Sequence, residues 1–265
     1  MACSFYFKKK ERDFMAIYVT GDIHGGIDIQ KLSKKNLKRK DIELTDKDYV
    51  IILGDFGLPF FDKEIDERKG EYSYWINWLS KKPCTILWVD GNHDNFNYWE
   101  KQPVAEWNGG KVQIHPKAPN VIHLMRGEIY EIEGKTFFAF GGAASHDKEY
   151  RKPDISWWKQ ETASQSEIDN ALENLNNYYN KVDYVLTHTP PSDIVRKYII
   201  ADYQDRTAEF LTEIEHKIDY KAWFCGHVHM DISFLTQKLF IRYKSIMNIN
   251  EVQKMVQGYC RNPLL

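Results

Sequence analysis

The chain has 265 residues, of which 43% are hydrophobic and 28% charged, and its formal net charge is -2. A chain of this length can bury a large core without a metal or disulfide to staple it. The near-neutral charge excludes a general electrostatic surface for nucleic acid or acidic lipid. Four cysteines, Cys3, Cys84, Cys225 and Cys260, form no CxxC pair. Neither a zinc finger nor a disulfide framework is therefore indicated, and we expect a reducing, cytoplasmic location.

The chain is predicted to hold one domain. Residues 1–14 are interpreted as a polar N-terminal tail and residues 15–265 as a single domain. The apolar run after the basic tail is short and shows no small-residue cleavage pattern, so it is not interpreted as a signal peptide. No segment approaches the apolar length that spans a bilayer, and we expect no membrane partner.

Apolar runs and helical spacing alternate in the first half of the chain. In chain order they predict a strand at 16–20, a helix at 28–40, a strand at 49–53, a helix at 64–80 and a strand at 85–89. Turn signals at 126–127 and 133–134 then predict an antiparallel meander of three strands, at 121–124, 129–132 and 136–140.

The second half opens with a capping box, Ser164-Gln165-Ser166-Glu167, which predicts the start of a helix. A strand at 184–187, a helix at 207–217 and strands at 222–225, 232–235 and 239–243 follow. This βα alternation with a β-rich insert favours an α/β fold with mixed rather than purely parallel sheets.

Five of the predicted strands end in Asp, Asn or His. The residues concerned are Asp22 and His24, Asp55, Asn92 with His93 and Asp94, His188, and His227 with His229. In α/β sheets the carboxyl ends of the strands form the binding crevice, and neighbouring glycines let the backbone approach a ligand. Alternate residues of an extended chain point the same way. We therefore expect each Asp-x-His or His-x-His pair to aim at one point.

These side chains have the chemistry of a metal site. Carboxylate, amide and imidazole groups together suit Mn²⁺, Fe²⁺, Co²⁺ or Zn²⁺, and the absence of cysteine argues against a structural zinc. The candidates are too many for one tetrahedral ion and suit two ions that share a carboxylate. A lone Asp-x-His, or a single histidine after a strand, usually has a structural explanation; the ordered set carries the inference.

The same residues resemble a known family. Five segments resemble, in order, the five motifs of the calcineurin-like metallophosphoesterases. They are Gly21-Asp22-Ile23-His24-Gly25, Gly54-Asp55, Gly91-Asn92-His93-Asp94, Thr187-His188 and Gly226-His227-Val228-His229. The resemblance implies a four-layer α/β/β/α sandwich with two mixed β-sheets. It also implies a metal-dependent phosphoric ester hydrolase that acts by attack of a hydroxide bridging two metal ions.

The resemblance further implies a role for each residue. The first ion would be held by Asp22, His24 and His229, the second by Asn92, His188 and His227, and Asp55 would bridge them. His93 would be a non-ligand histidine that contacts the phosphate and assists the leaving group, and Asp94 would orient it. The cofactors implied are two divalent transition-metal ions, with Mn²⁺ preferred and Fe, Zn, Co or Ni as alternatives.

The chain departs from the serine/threonine phosphatase branch of that family. The branch carries Asp-Arg-Gly shortly after its Gly-Asp, whereas here Gly54-Asp55 is followed by Phe56-Gly57-Leu58-Pro59. The acidic residue and phosphate-binding arginine of that motif are therefore missing. The stretch from Phe140 to Trp158 instead looks like a segment of a bacterial and phage branch whose substrates are poorly defined.

The substrate is left open by the sequence. Asn92, His146 and Arg151 are candidate substrate-binding residues, although surface ion pairs explain His146 and Arg151 equally well. We expect a small phosphorylated partner, with nucleic acid only as a possible substrate, and the sequence does not indicate an oligomeric state. A phosphodiesterase or nuclease on the same site is one alternative. A non-catalytic scaffold is another, disfavoured because every ligand is retained.

Overall fold

The computed structural model describes residues 15–61 and 69–261. The predicted tail at 1–14 and the first part of the predicted helix at 64–80 lie outside these residues. Within 15–61 and 69–261, no helix combines the length and apolar character needed to cross a membrane.

Seven strands form the first sheet. They are β1 (Ile17–Thr20), β2 (Tyr49–Ile52), β3 (Thr85–Trp88), β4 (Val104–Trp107), β5 (Gly110–Ile114), β6 (Val121–Leu124) and β13 (Ile246–Asn248). Their order across the sheet is β13-β1-β2-β3-β6-β5-β4. The four central strands β1, β2, β3 and β6 run parallel, and the outer strands pair antiparallel. The sheet is therefore mixed, as predicted.

Six strands form the second sheet. They are β7 (Glu128–Ile132), β8 (Lys135–Phe140), β9 (Tyr184–Thr187), β10 (Ala222–Cys225), β11 (Ile232–Phe234) and β12 (Leu239–Ile241). The order is β11-β12-β10-β9-β8-β7. Strands β8, β9, β10 and β12 are parallel, and the two edge strands are antiparallel to their neighbours.

Helices cover the outer faces of both sheets. They are α1 (Lys34–Lys38), α2 (Lys69–Ser80), α3 (Phe96–Trp99), α4 (Gln165–Asn177), α5 (Ser192–Tyr198) and α6 (Arg206–Glu215), whereas a further helix, α7 (Ile249–Arg261), packs against the core between the two sheets. Buried Val19 and Phe224 belong to a core between the two sheets. The neighbouring residue Tyr18 belongs to a second core with α2, and Trp223 belongs to a third with α4 and α6. Successive strand residues thus serve opposite faces, and the predicted α/β/β/α sandwich is confirmed.

Two sequence predictions about the elements are wrong. The predicted meander at 121–140 is split, because β6 pairs with β3 and β5 in the first sheet while β7 and β8 form a hairpin in the second. The segment around Gly127 therefore crosses between sheets. The predicted helix at 28–40 is a 3₁₀ turn (Ile29–Leu32) followed by the short α1, which begins where Ser33 accepts a hydrogen bond from the Asn36 amide.

Candidate metal centre

The predicted site residues come together between the carboxyl ends of strands from both sheets. The loops after β1, β2 and β3 supply Asp22, His24, Asp55, Asn92 and His93, and the loops after β9 and β10 supply His188, His227 and His229. Because β1–β3 are parallel neighbours in one sheet, and β9 and β10 in the other, the loops of each sheet leave at one end, and the 3.3 Å contact of His188 with Asp55 joins the two ends. This shared geometry explains why Asp, Asn and His follow the ends of successive strands in the sequence.

One group of donors, the first donor set, consists of Asp22, His24 and His229. Together with Asp55, each of these residues offers a ligand atom within 4.8 Å of the others. Asp22 Oδ2 is buried without a hydrogen-bonding partner among the described residues, although His229 Nε2 lies 3.1 Å away. An unsatisfied buried carboxylate oxygen is costly. That oxygen and the mixed imidazole and carboxylate donors fit a divalent transition-metal ion.

A second donor set consists of Asn92, His188 and His227. His188 Nδ1 lies 2.7 Å from the Leu53 carbonyl oxygen, which can only accept, so Nδ1 donates and Nε2 keeps its lone pair. His188 Nε2 lies 3.1 Å from Asn92 Oδ1. The His227 ring packs edge-on against the His188 ring at 5.0 Å. The backbone has therefore fixed the His188 tautomer that a metal ligand requires.

Asp55 lies between the two sets. Its Oδ2 is 3.2 Å from His24 Nε2, and its Oδ1 is 3.3 Å from His188 Nε2. The carboxylate is 1% exposed, so water does not compete for either oxygen. Each oxygen thus faces a different donor set.

The backbone at these positions is strained. His24, Asp55, His227 and His229 have φ values of 43°, 47°, 67° and 52°, in the left-handed region that side chains other than glycine rarely adopt. Such residues cost about 1–3 kcal/mol each and cluster at functional sites. The expectation that extended chain aims both members of each pair at one point is wrong for the Gly226 loop. His229 packs against His24 at 4.9 Å, whereas His227 packs against His188.

Two glycines let the carboxylates approach the backbone. A Cβ at Gly91 would lie 2.1 Å from Asp55 Oδ1, and one at Gly226 would lie 2.2 Å from Asp22 Oδ1. Both are far below any real contact distance. The Gly-Asn-His-Asp and Gly-His-Val-His motifs therefore need glycine so that a neighbouring carboxylate fits against the loop.

Opposite charges dominate the electrostatics of the centre. Burial alone would raise the pKa of Asp55, but His188 and His24 outweigh it and hold that pKa well below its usual range. Burial alone would lower the pKa of His24, but the hydrogen bond to Asp55 raises it to about 9. Burial, reinforced by His188, lowers the pKa of His227 to about 3. The Asp55 carboxylate is thus ionised and His227 is neutral, as ligation requires, whereas His24 holds a proton that a bound ion would have to displace.

His93 adjoins the donor sets without belonging to either. Its backbone amide donates to Asp55 Oδ1 at 2.8 Å. Arg151 Nη1 lies 3.1 Å from His93 Nδ1, and Arg151 Nη2 lies 3.2 Å from His93 Nε2. Burial lowers the pKa of His93 against the effect of Asp55, and Arg151 lowers it further. Arg151, a candidate from sequence, is therefore beside the site, held by Asp147 at 2.8 Å.

The other candidates take less direct positions. Asp94 accepts hydrogen bonds from the backbone amides of Gly91 and Gly57, both at 2.7 Å, so any effect on His93 acts through the loop backbone. Burial raises the pKa of Asp94 to about 7, and the Asp55 charge adds to that rise. His146 is exposed. The Asn92 amide nitrogen donates to Ser145 Oγ at 3.1 Å, and a role for Asn92 in substrate binding stays a prediction.

Sequence reasoning missed the supports of the first donor set. Lys31 Nζ donates to the carbonyls of Gly21, Asp22 and Tyr243 at 2.8, 2.7 and 2.6 Å. Tyr243 stacks on His229 at 4.6 Å, and its hydroxyl donates to Asp28 Oδ2 at 3.1 Å. Asp28 Oδ2 also lies 3.0 Å from His24 Nδ1. No local pattern indicates the contacts of Tyr243 with Lys31 and Asp28, because they join segments more than 200 residues apart.

The second donor set has supports from the segment that follows β8. Ser145 accepts the hydrogen bond from Asn92, and its own backbone N–H donates a hydrogen bond to Glu161 Oε2 at 3.2 Å. Glu161 Oε1 also accepts from the Trp158 amide at 3.4 Å. The position of this stretch, after a glycine turn at the end of a predicted strand, was the available signal, and it indicated His146 and Arg151 but not Ser145.

Comparison with known proteins identifies the family. A model of the calcineurin-like phosphoesterases matches residues 15–231. Lariat debranching enzyme A of Xenopus laevis is 22% identical over 91% of this chain and 46% of its own length, so the chain spans less than half of that relative.

Two solved structures are similar at low TM-scores. A putative 5′-nucleotidase from Staphylococcus aureus has 12% identity over 92% of this chain and 58% of its own, with a TM-score of 0.46. Phosphopantetheinyl hydrolase from Mycobacterium tuberculosis has 15% identity over 94% and 92%, with a TM-score of 0.36. Scores this low support no inference about substrate. The family match, in contrast, covers most of the chain and contains all five motifs, and the chain belongs to the calcineurin-like phosphoesterase family.

Proposed function

We propose that the protein is a dinuclear-metal phosphoesterase that hydrolyses small phosphate esters. The first donor set would hold one divalent ion, the second donor set would hold the other, and Asp55 would be shared. The observation that supports this most strongly is the placement of the two Asp55 oxygens, one 3.2 Å from His24 and the other 3.3 Å from His188.

A pair of divalent ions supplies charge to stabilise an in-line phosphoryl displacement and makes a water nucleophilic at neutral pH. Oxygen and imidazole donors without cysteine favour Mn²⁺, with Fe, Zn, Co or Ni as alternatives. The chain contributes donor atoms that are already fixed in position. Strained loops, a buried shared carboxylate and a tautomer set by the Leu53 carbonyl hold the donors before any ion binds.

His93 and Arg151 would act on the substrate directly. His93 is anchored through its amide to Asp55 and keeps its imidazole free of both donor sets, so it can give a proton to the leaving oxygen or stabilise the charge of that oxygen. Such acid catalysis is worth roughly 10²–10⁴-fold in rate. The Arg151 guanidinium presents two N–H groups toward the same imidazole, and this fork suits two phosphoryl oxygens.

A phosphodiesterase on the same site is the second candidate. The similarity over 91% of this chain to a protein named as a lariat debranching enzyme is the reason to test nucleic-acid diesters. A small phosphorylated partner, cytoplasmic location and the preference for Mn²⁺ remain predictions.

A single panel tests the proposal. Protein stripped with chelator and reloaded with Mn²⁺ is assayed on an aryl monoester, an aryl diester, a phosphopeptide, nucleotides and branched RNA, with His93→Asn as the matched control. We expect metal-dependent turnover that the control lacks. Full metal loading with no turnover of any ester would support the scaffold alternative instead.

A further inference from the structure

Beside His24 and His93 lies a cavity whose other walls belong to neither donor set. We propose that this cavity, the leaving-group pocket, binds a planar, largely apolar leaving group of the ester, and that Glu71 favours a hydrogen-bond donor or positive charge on that group. Its walls include His93, Ile27, Leu58, Phe60, Glu71 and Tyr72. The assignment names a substrate class for the proposed phosphoesterase and rests on that function.

The position of the pocket defines its role. Both His24 and His93 line it, so it opens directly from the centre. His93 is the group proposed to protonate the leaving oxygen, and a proton donor has to lie within hydrogen-bonding reach of the atom it serves. The part of the ester that departs must therefore extend along the side of the site where His93 lies, which is the side of this pocket.

The shape and surface of the pocket suit a flat group. Its volume is about 190 Å³, below the roughly 300–1,000 Å³ of pockets for drug-sized ligands, so it suits one small ring system. The Phe60 ring lies 5.9 Å from the His93 ring and packs edge-on against Trp158 at 5.7 Å, which holds it in place. Ile27 is 76% exposed at the pocket, leaving apolar surface for a ligand to cover.

Part of the pocket wall is glycine backbone, which lets neighbouring groups approach more closely than a side chain would allow. A Cβ at Gly57 would lie 2.8 Å from the Gly25 nitrogen, and one at Gly26 would lie 2.0 Å from Glu71 Oε1. The Glu71 carboxylate therefore lies directly against the Gly26 backbone at the pocket wall. Apart from the two histidines, Glu71 is the only carboxylate or basic side chain among the described lining residues. A polyanionic leaving group would be repelled, and a donor or cation would be attracted.

The apolar walls are tested by a ratio of substrates. On Mn²⁺-loaded protein, kcat/KM is measured for 2-naphthyl phosphate and glycerol phosphate with wild type, Ile27→Ser and Phe60→Ala. We expect the naphthyl-to-glycerol ratio to fall by roughly tenfold in each variant, because each removes apolar surface from the ring. The control is Val104→Ser, which changes a residue 53% exposed on β4, at the far edge of the first sheet, and leaves the ratio unchanged.

An unchanged ratio in both pocket variants, with wild type active on both esters, would overturn the pocket and leave the phosphoesterase proposal intact. Absence of turnover by wild type on both of these esters and on every ester of the earlier panel would overturn the phosphoesterase proposal itself. Ile27→Ser removes an exposed side chain, so it tests the pocket even if Phe60→Ala fails to fold.

The acidic wall is tested with a matched pair of aryl esters. Tyramine phosphate carries an ammonium group that phenyl phosphate lacks. Glu71→Gln is expected to lower the tyramine-to-phenyl ratio of kcat/KM by about threefold, in keeping with the modest strength of an exposed ion pair. A ratio that stays constant would remove Glu71 from the assignment.

Discussion

The two donor sets share Asp55 but differ in what holds them. In the first set the His229 side chain is 48% exposed, and its supports are the side chains of Asp28, Lys31 and Tyr243. In the second set His188 is fully buried and is held by a backbone carbonyl. His188 is thus built into the core of the sandwich, whereas His229 is held by contacts between loops. We expect an ion in the first set to exchange more readily.

The largest expected effect concerns His93, which belongs to neither set. His93→Asn should lower kcat by about 10²–10⁴-fold while both ions stay bound, because the imidazole serves the leaving group rather than the metal. Steady-state kinetics and metal analysis on one preparation check this. Loss of an ion in the variant would show that His93 is a metal ligand and that the two donor sets are assigned wrongly.

Replacing one histidine from each set tests whether the buried His188 contributes more to stability than the exposed His229. His188→Ala should lower the free energy of unfolding by about 2–4 kcal/mol, since it leaves a cavity and an unsatisfied Leu53 carbonyl. His229→Ala, at an exposed position, should change it by about 0.5 kcal/mol or less. Denaturant unfolding in the presence of chelator measures both without a metal contribution. Equal losses would show that the first set is as deeply integrated into the core as the second.

The supports of the two sets can be removed separately. Tyr243→Phe breaks the hydrogen bond to Asp28 but keeps the stacking on His229, and Ser145→Ala breaks the hydrogen bond to Asn92. Loss of such a support typically weakens metal binding by about 10–100-fold. We expect each variant to weaken one ion only, by roughly tenfold, in calorimetric titrations. Tyr179→Phe and Ser80→Ala are the matched controls. If Tyr243→Phe or Ser145→Ala weakened the binding of both ions, the two donor sets would not have separate supports.

The smallest expected effect is a pH dependence near the second set. Burial, against hydrogen bonds from Ser145 and Trp158, raises the pKa of Glu161 from 4.5 to about 7. The folded chain then holds this proton more tightly than the unfolded chain, so the stability it contributes is present below about pH 4.5 and is lost as pH rises to about 7. Glu161→Gln mimics the protonated acid. The wild type should lose stability relative to this variant across that window, and parallel profiles would contradict the assignment.

The sequence was sufficient for the centre of the site because its residues follow strands. Parallel strands bring their carboxyl ends together, so an ordered series of Asp, Asn and His at strand ends predicts one crevice. The outer elements escaped prediction for a physical reason. In the hairpin of β4 and β5, residues of β4 alternate between exposed and half-buried, and no apolar run marks them. Lys31 and Tyr243 are 212 residues apart, a separation across which sequence periodicity says nothing.

The split of the Gly226 loop was likewise beyond local reasoning. An extended chain would place His227 and His229 on one side, but φ values of 67° and 52° turn them toward different donor sets. A residue-by-residue resemblance to the family indicated this division, whereas periodicity predicted the opposite.

The metal content of the Asp55→Asn variant tests the shared carboxylate most directly. Wild type, His229→Ala and Asp55→Asn are loaded with Mn²⁺, dialysed and analysed for metal per chain. We predict about two ions for wild type, about one for His229→Ala, and loss from both donor sets in Asp55→Asn, because each Asp55 oxygen faces a different set. Two ions per chain and full activity in Asp55→Asn would contradict the bridging role and with it the proposed dinuclear centre.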